Sequence, residues 1–344
     1  MTTIDLPLKI GKMVIRNRVI MAPMRTNMIN MLGGATPALK KHLCLRAIGG
    51  CGMIILESGT VDYLAGGHSR CFRMDRDHLD NFDGLLAHLH CYRVKVAAQL
   101  WHAGPRADIH RGDPVSPSGS IPGFPGARPL TTDEISLIVE KFIVAGSRAV
   151  AAGADALEIH AAHGYLLHHF ISDVTNKRKD RYGGSVTNRY RIIAEIKKGL
   201  AINHPHIPLF LRLSLNENDD FRSICKSINM IGFDAVDIRT GFSSLPKNSN
   251  RIGYTLPIAK NIRPYIKVPI LTGGHILTPE QAGEALNTYQ IDAVVLGRAL
   301  LADAEWFNKA IKGENINYCQ YDCMPSCYSE FKKGEELKCQ IYQQ

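Results

Sequence analysis

The sequence contains no apolar run approaching the roughly 18 to 20 residues that a membrane-spanning helix needs. Its first residues, Met1-Thr2-Thr3-Ile4-Asp5, lack the basic-then-apolar order of a secretory leader. A cytoplasmic protein with no membrane partner is therefore the expectation. The chain also lacks a basic block interleaved with aromatics, since its 41 Lys and Arg residues are spread along its length. That dispersal argues against a nucleic-acid partner. There is no low-complexity tract and no repeat beyond an alternation of strand and helix patterns.

What is present fits an ordinary globular protein, with 45% hydrophobic and 21% charged residues. A length of 344 residues suffices for one large barrel with an appendage or for two average domains. The formal net charge of +9 suits an anionic cofactor or substrate, or an acidic partner protein. Of nine cysteines, Cys44, Cys51, Cys71, Cys91 and Cys225 are scattered, whereas Cys319, Cys323, Cys327 and Cys339 fall in the last 26 residues. Without an export signal, such clustering favours a metal over disulfides.

Eight short apolar runs punctuate the chain: Val19 to Met24, Met53 to Glu57, Val96 to Trp101, Ala156 to His160, Leu209 to Leu213, Ala235 to Ile238, Ile270 to Gly273 and Ala293 to Gly297. Helical patterns separate them, which is the signature of parallel βαβ units. Eight such units in roughly 290 residues fit a (β/α)₈ TIM barrel better than an open sheet. Helix starts are marked at Thr36-Pro37, at Thr131 to Glu134 and at Thr278 to Gln281, the last two as capping boxes. Ser185 caps a further helix. After Thr131, a stripe of Ile135, Ile138, Val139 and Phe142 predicts a core-facing helix. Residues 103–131 and 166–190 interrupt the alternation as excursions. The first, rich in Pro and Gly, should cross the exit of the third strand.

The fourth run ends in His160-Ala161-Ala162-His163-Gly164-Tyr165. A buried strand that delivers polar side chains at its C-terminal end is the pattern of a barrel's active face. The structural alternative is a set of core histidines satisfied by backbone. The last two runs end in Gly273-Gly274 and Gly297-Arg298. Loops after strands seven and eight commonly bind phosphate, where glycine admits the backbone and arginine supplies a charged fork. That combination suggests a phosphorylated cofactor of the size of flavin mononucleotide (FMN). Gln99, at the end of Val96-Ala97-Ala98, could pair with the polar edge of such a ring. Arg212, inside Leu209 to Leu213, needs either an anion on that ring or an internal salt bridge.

With these residues assembled, the chain resembles the old yellow enzyme family of FMN barrels. It is most similar to the iron–sulfur branch that includes dienoyl-CoA reductase, enoate reductase and trimethylamine dehydrogenase. The resemblance runs from Leu8 to about Ile341 and is carried by Asn17-Arg18-Val19-Ile20-Met21-Ala22-Pro23-Met24, Gln99-Leu100-Trp101-His102-Ala103-Gly104, and Glu158 to Arg191 with its Asp180-Arg181-Tyr182-Gly183-Gly184-Ser185. It implies that the backbone of Ala22, Pro23 and Met24 faces the flavin, with Arg25 and Thr26 beside its reactive edge. Ser58 would lie near the ring, Gln99 at its pyrimidine side and Arg212 at its N1–C2 edge. Gly274, Gly297 and Arg298, joined by Gly273, would hold the phosphate. His160 and His163 would bind the carbonyl oxygen of an unsaturated carbonyl substrate, a CoA thioester among the candidates, and Tyr165 would donate the proton.

The implied activity is an ene-reductase. Two other readings stay open: a dehydrogenase oxidising an amine or saturated carbonyl compound, and an electron-transfer subunit of a larger complex. The chain departs from the family at Arg25, usually a small or neutral residue, which could reach the ring edge or an anionic substrate. Thr187 replaces a customary Glu, which should remove a capping box.

Cys319, Cys323, Cys327 and Cys339 have intervening gaps of three, three and eleven residues. Four thiolates so arranged can hold a cluster. The resemblance implies a 4Fe–4S cluster, but with a first gap of two, so Cys319 departs from the pattern. Structural zinc and unliganded thiols are the alternatives. The expected division is a barrel over 1–312 and a cluster segment over 313–344. In larger relatives the cluster passes electrons between the FMN and a C-terminal flavin and nucleotide domain, which this chain is expected to lack. The electron donor is then a redox partner protein or subunit, or NADH or NADPH acting directly. A homo-oligomer is compatible with all of these readings.

Overall fold

A computed structural model describes residues 3–77, 79, 81–110, 112–241, 253–320 and 327–342. Its centre is a closed ring of eight parallel strands: β1 (Val19–Met21), β2 (Met53–Ile55), β3 (Lys95–Trp101), β4 (Ala156–Ala161), β5 (Leu209–Leu215), β6 (Ala235–Thr240), β7 (Ile270–Gly273) and β8 (Ala293–Leu296). Each strand pairs with its neighbours in sequence. The ring closes where Val295 of β8 lies opposite Ile20 of β1. This is the expected TIM barrel.

The strands read as continuous apolar runs because both of their faces are covered. On β4, Leu157 and Ile159 point outward to the helices, whereas Ala156 points into the ring. The interior is apolar at its N-terminal end, where Met53, Ala97, Phe210, Leu271 and Ala293 meet. A hairpin of Leu8–Ile10 and Met13–Ile15 closes that end, and its Leu8, Ile10, Met13 and Ile15 join the same cluster.

The strand ends expected from apolar content move for identifiable reasons. β1 stops at Met21 rather than Met24. The Ala22 N–H still donates to Leu296 O (2.8 Å), but Pro23 has no N–H to continue the ladder. β5 and β6 continue to Leu215 and Thr240, past the polar Ser214 and Arg239.

Thr131 and Thr278 form the expected capping boxes with Glu134 and Gln281, and Thr36 caps the helix that opens at Pro37. Ser185 caps Val186–Arg189 by accepting from the Asn188 N–H. Asn188 is therefore the position that could complete a box with Ser185. Residue 187 lies one place too early, so the Thr there removes nothing. Among the described residues, no helix is long and apolar enough to cross a membrane.

Two excursions wall the C-terminal mouth. Residues 103–131 contain a 3₁₀ turn at Gly104–Arg106 and a short pairing of Val115–Ser116 with Arg128–Pro129. Arg178 of the second excursion donates to Pro117 O (2.7 Å) and Leu130 O (2.5 Å), tying the two together. The Asn176 side chain donates to Phe170 O and Tyr182 O, folding the second excursion on itself.

Candidate active site at the barrel mouth

Above the apolar floor, the inward positions become polar. Gln99 of β3, Glu158 of β4, Arg212 of β5, and Asp237 and Arg239 of β6 are all buried. Arg212 Nη1 donates to Asp237 Oδ2 (2.7 Å), and Arg239 Nη2 lies 3.0 Å from Asp237 Oδ1. The internal salt bridge open to Arg212 is thus present. Asp237 is nevertheless shared between two guanidinium groups, and the Nε of both Arg212 and Arg239 has no hydrogen-bond partner. Gln99 Nε2 donates to Glu158 Oε2 (2.5 Å), and Glu158 Oε1 is also without a partner. Burial, then the nearby Asp237, pushes the Glu158 carboxyl up to about 7. Orphaned buried donors are rare in native proteins and point to a ligand with a polar edge. A flavin's pyrimidine edge supplies the acceptors that two arginine Nε–H groups need, so the residues fit the group.

One layer higher lies the constellation at the end of β4. His160 is buried and points inward, while His163 sits in the following turn at φ +58°. The His163 N–H donates to Ser214 Oγ (3.2 Å), which anchors that turn to β5. The Ala162 N–H donates to His160 Nδ1 (3.2 Å), so a neutral His160 carries its proton on Nε2. That atom is 3.4 Å from His163 Nδ1, leaving the His163 proton on its own Nε2. Burial first, and then the Arg212 charge, holds both imidazoles well below the usual histidine range. At neutral pH they are uncharged donors.

Tyr165 packs edge-on against Trp101 (ring centroids 4.7 Å apart) and His160 (5.1 Å). Burial pushes its phenol up, against the opposing pull of Arg106, Arg25 and Arg212, so it is protonated at neutral pH. The turn carrying Tyr165 is fixed through Gly164. The Gly164 N–H donates to His168 Nδ1 (2.8 Å), and Gly164 O accepts from His169 Nε2 (3.1 Å) and Arg106 Nε (3.1 Å). His168 and His169 are thus structural.

The cradle residues assemble from three strands. Ala22 and Met24 approach Gly297, where an added Cβ would lie 3.1 Å from Met24 Sδ and 3.8 Å from Ala22 Cβ; Pro23 lies between the two. At Gly273 a Cβ would lie 2.1 Å from Val295 O, so this glycine is required by strand approach alone. Gly274 has φ +99°. Arg239 Nη1 lies 3.5 Å from the Gly273 Cβ position, which brings a second arginine to the strand ends beside half-buried Arg298.

Ser58 is half-buried and follows Glu57 on the loop leaving β2. Thr26 is buried and committed to Glu57, to which its N–H and hydroxyl both donate (3.1 and 2.5 Å). Burial pushes Glu57 up to about 7. Arg25 is exposed, with its guanidinium 5.3 Å from the Phe331 ring.

The tail returns to this loop. The Leu337 N–H donates to Thr26 O (2.8 Å), and Asn27 Nδ2 donates to Glu335 O (2.9 Å). Cys319, Cys327 and Cys339 are half-buried, while Cys323 lies outside the described residues. Among the described residues, no group of three or more His, Cys, Asp or Glu side chains is placed to hold a metal.

Glu57, Glu158, Asp237 and Arg239 are site residues that motif reading passed over. Their signal was available. Asp237 and Arg239 stand two apart in an apolar strand, as do Glu158 and His160, which puts each pair on one face.

A barrel with this mouth belongs to the class of (β/α)₈ oxidoreductases that bind a planar cofactor. The sequence matches the profile of the NADH:flavin oxidoreductase / NADH oxidase family over residues 4–317, and the chain belongs to this family of flavin oxidoreductase enzymes. NADH oxidase of Thermoanaerobacter brockii is 36% identical over 328 residues, covering 89% of this chain and 50% of that protein. NADPH dehydrogenase of Listeria welshimeri is 33% identical over 306 residues, covering 85% and 89%. A 2-naphthoyl-CoA reductase structure with 2-naphthoyl-CoA superposes with a TM-score of 0.90 at 26% identity, over 99% of this chain and 57% of that one. The old yellow enzyme homologue from Zymomonas mobilis superposes with a TM-score of 0.80 at 25% identity, over 92% and 94%. The chain thus spans about half the length of the first relative and nearly all of the second.

Proposed function

We propose that this protein is an FMN-dependent ene-reductase acting on an alkene conjugated to a carbonyl. The observation that carries this reading is the convergence of two neutral imidazoles and a protonated phenol at the mouth of a flavin-oxidoreductase barrel. Backbone at Ala22, Pro23 and Met24, with Arg25 and Ser58, borders the ring. Arg212 and Gln99 take its pyrimidine edge. Because Gln99 Nε2 is committed to Glu158, its Oε1 remains to accept from a ring N–H. Gly273, Gly274, Gly297 and Arg298 hold the phosphate, with Arg239 added to that set.

Bound reduced FMN supplies a hydride to the β-carbon of the alkene. His163 donates from its free Nε2–H to the substrate carbonyl, and His160 joins it by exchanging its long Nε2–H contact with His163 Nδ1 (3.4 Å) for the substrate oxygen, so that both stabilise the negative charge that develops there. Being uncharged, they bind substrate without competing with Arg212 for the anionic edge of the cofactor. Tyr165 delivers its proton to the α-carbon as a positioned general acid. Trp101 fixes the phenol's direction, and the 103–131 excursion restricts water.

Cys319, Cys323, Cys327 and Cys339, on a segment spanning 313–344, ligate a 4Fe–4S cluster. The docking of residues 335–337 on the loop after β1 brings the segment that ends in Cys339 against the barrel mouth, which supports a redox role for this segment. The electron donor would be NADH or NADPH, or a redox partner protein if the cysteines hold a cluster. The CoA thioester bound by the naphthoyl-CoA reductase neighbour makes a thioester one candidate substrate.

Tyr165→Phe tests the reaction. Alkene turnover should fall about 10²- to 10⁴-fold while flavin reduction persists. Unchanged alkene turnover would refute the assignment. Anaerobic purification tests the tail: about four iron atoms per chain are expected, and zinc, or no metal at all, overturns the cluster.

A further inference from the structure

The N-terminal end of the barrel, opposite the mouth, carries a cleft of about 150 Å³ beside the hairpin that closes it. Lys12 at the hairpin turn lines it, with Lys197 of the helix Arg191–Asn203. His204 and His206 line it from the loop leading into β5, and Gly232 and Asp234 from the loop leading into β6. Four of these side chains carry or can take a positive charge, against one carboxylate.

The cations here lack the counter-ions found elsewhere in the molecule. Lys95 and Lys309 pair with carboxylates at 2.6 and 2.7 Å. Lys12 Nζ instead lies 2.9 Å from His206 Nδ1. An ammonium has only donors and needs a neutral imidazole nitrogen to accept, so two cation-forming groups meet there without an anion. Lys197 is half-buried and makes no ion pair among the described residues; its Nζ is 3.6 Å from the position of a Cβ on Gly232, which puts it across the cleft. Asp234 is engaged with backbone. Its Oδ2 accepts from the Leu209 N–H (2.9 Å), and its Oδ1 lies against Gly11, 2.5 Å from where a Cβ would stand. The imidazoles are held in place: His204 Nε2 is 2.8 Å from Ser147 Oγ, and Pro205 and Pro208 flank His206 and fix the loop's φ angles.

We propose that this cleft binds a phosphate group, free or as a small monoester, between Lys12, Lys197 and His206. Lysine serves phosphate as a point charge, and a phosphate monoester carries about −1.5 to −2 at neutral pH, enough to outweigh the lone carboxylate. One water occupies about 30 Å³ of liquid, so the cleft admits a tetrahedral oxyanion with a short organic remainder but not a nucleotide. The bound anion clips the turn of the closing hairpin to the helix Arg191–Asn203 and to the loop before β5. It therefore stabilises the barrel from the end remote from the chemistry, and it is independent of the ene-reductase reading.

The test uses FMN-loaded enzyme and inorganic phosphate, with sodium chloride at matched ionic strength as the control. The unfolding midpoint should rise saturably with phosphate, by about 3–4 °C at about 100 times Kd, while the flavin stays bound. Equilibrium dialysis should give one phosphate per chain beyond that of FMN. Lys12→Gln and Lys197→Gln should each weaken that binding about tenfold, with the midpoint in chloride and the KM for an enone unchanged. Glycerol phosphate in place of inorganic phosphate identifies the source: tighter binding supports a monoester, and equal or weaker binding supports free phosphate. An equal rise in chloride, or phosphate affinity unmoved in both variants, overturns the inference. Release of flavin as phosphate is added overturns it too, by assigning the effect to the mouth.

Discussion

The two halves of the barrel's interior use the same strands in opposite ways. Near the N-terminal end, inward positions are filled by Phe210, Leu271, Met53 and small alanines, sealed by the Leu8–Ile15 hairpin. One inward step further along, β5 exchanges Phe210 for Arg212, β6 exchanges Ala235 for Asp237, and β4 exchanges Ala156 for Glu158. The lower half makes no demand on hydrogen bonding and contributes about 1.5–3 kcal/mol for each large side chain buried. The upper half holds buried charges whose desolvation is repaid only while every partner is present. Buried charge is thus confined to one end of a scaffold that the other end stabilises.

The largest expected effect sharpens that contrast. Asp237 is the shared anion of Arg212 and Arg239, so Asp237→Ala leaves two like charges buried and unpaired. A loss of about 3–5 kcal/mol in unfolding free energy is expected from denaturant titration. Adding Arg239→Leu should restore part of it, because the second substitution removes one of the stranded charges. Leu271→Ala, in the apolar half, should cost about 2–5 kcal/mol, with no such recovery from Arg239→Leu. Equal recovery in both backgrounds would show that the two halves do not differ in kind.

Next in size is a pH effect. Glu57 is held at about 7 by burial, above its unfolded value of 4.5. Below pH 4.5 both states are protonated and the group takes nothing from stability. Between 4.5 and 7 the unfolded chain loses its proton while the native state keeps it, so stability declines as pH rises and levels off above 7. For a shift of this size the decline is about 3 kcal/mol. Glu57→Gln should flatten that part of the profile relative to wild type. Parallel profiles from pH 5 to 7.5 would mean that Glu57 titrates normally and that the burial argument fails there.

Legibility in the sequence follows the same division. The eight strands could be read because burial on both faces makes each an apolar run, while their ends moved, most clearly where proline or a polar residue interrupts the run. Pro23 ends β1 three residues before the apolar content does, and Ser214 and Arg239 lie on strands that continue past them. His160, His163 and Tyr165 were legible because one turn delivers all three. The Gln99–Glu158 and Arg212–Asp237–Arg239 contacts join separate strands, which no local spacing reveals. Arg106 was invisible for the same reason: its relation to Tyr165 exists only once two excursions meet over the barrel. The proposed cluster ligands rest on residue type and spacing alone, and Cys323 lies outside the described residues.

The smallest effect tests whether stability and chemistry are separable. Thr131 lies outside the barrel, at the start of the helix Thr132–Ala151, where its hydroxyl accepts from the Glu134 N–H and Glu134 returns a bond to the Thr131 N–H. Thr131→Ala orphans one donor at an exposed helix end and should cost about 1 kcal/mol. That helix carries Ile135, Ile138 and Phe142 against the barrel wall, and none of them reaches the mouth. The unfolding midpoint should therefore fall while the KM for an enone stays within error. A change in KM of severalfold would mean that the position of this helix is transmitted through β3 and β4 to Tyr165, and that the barrel wall does not insulate the polar half from its supports.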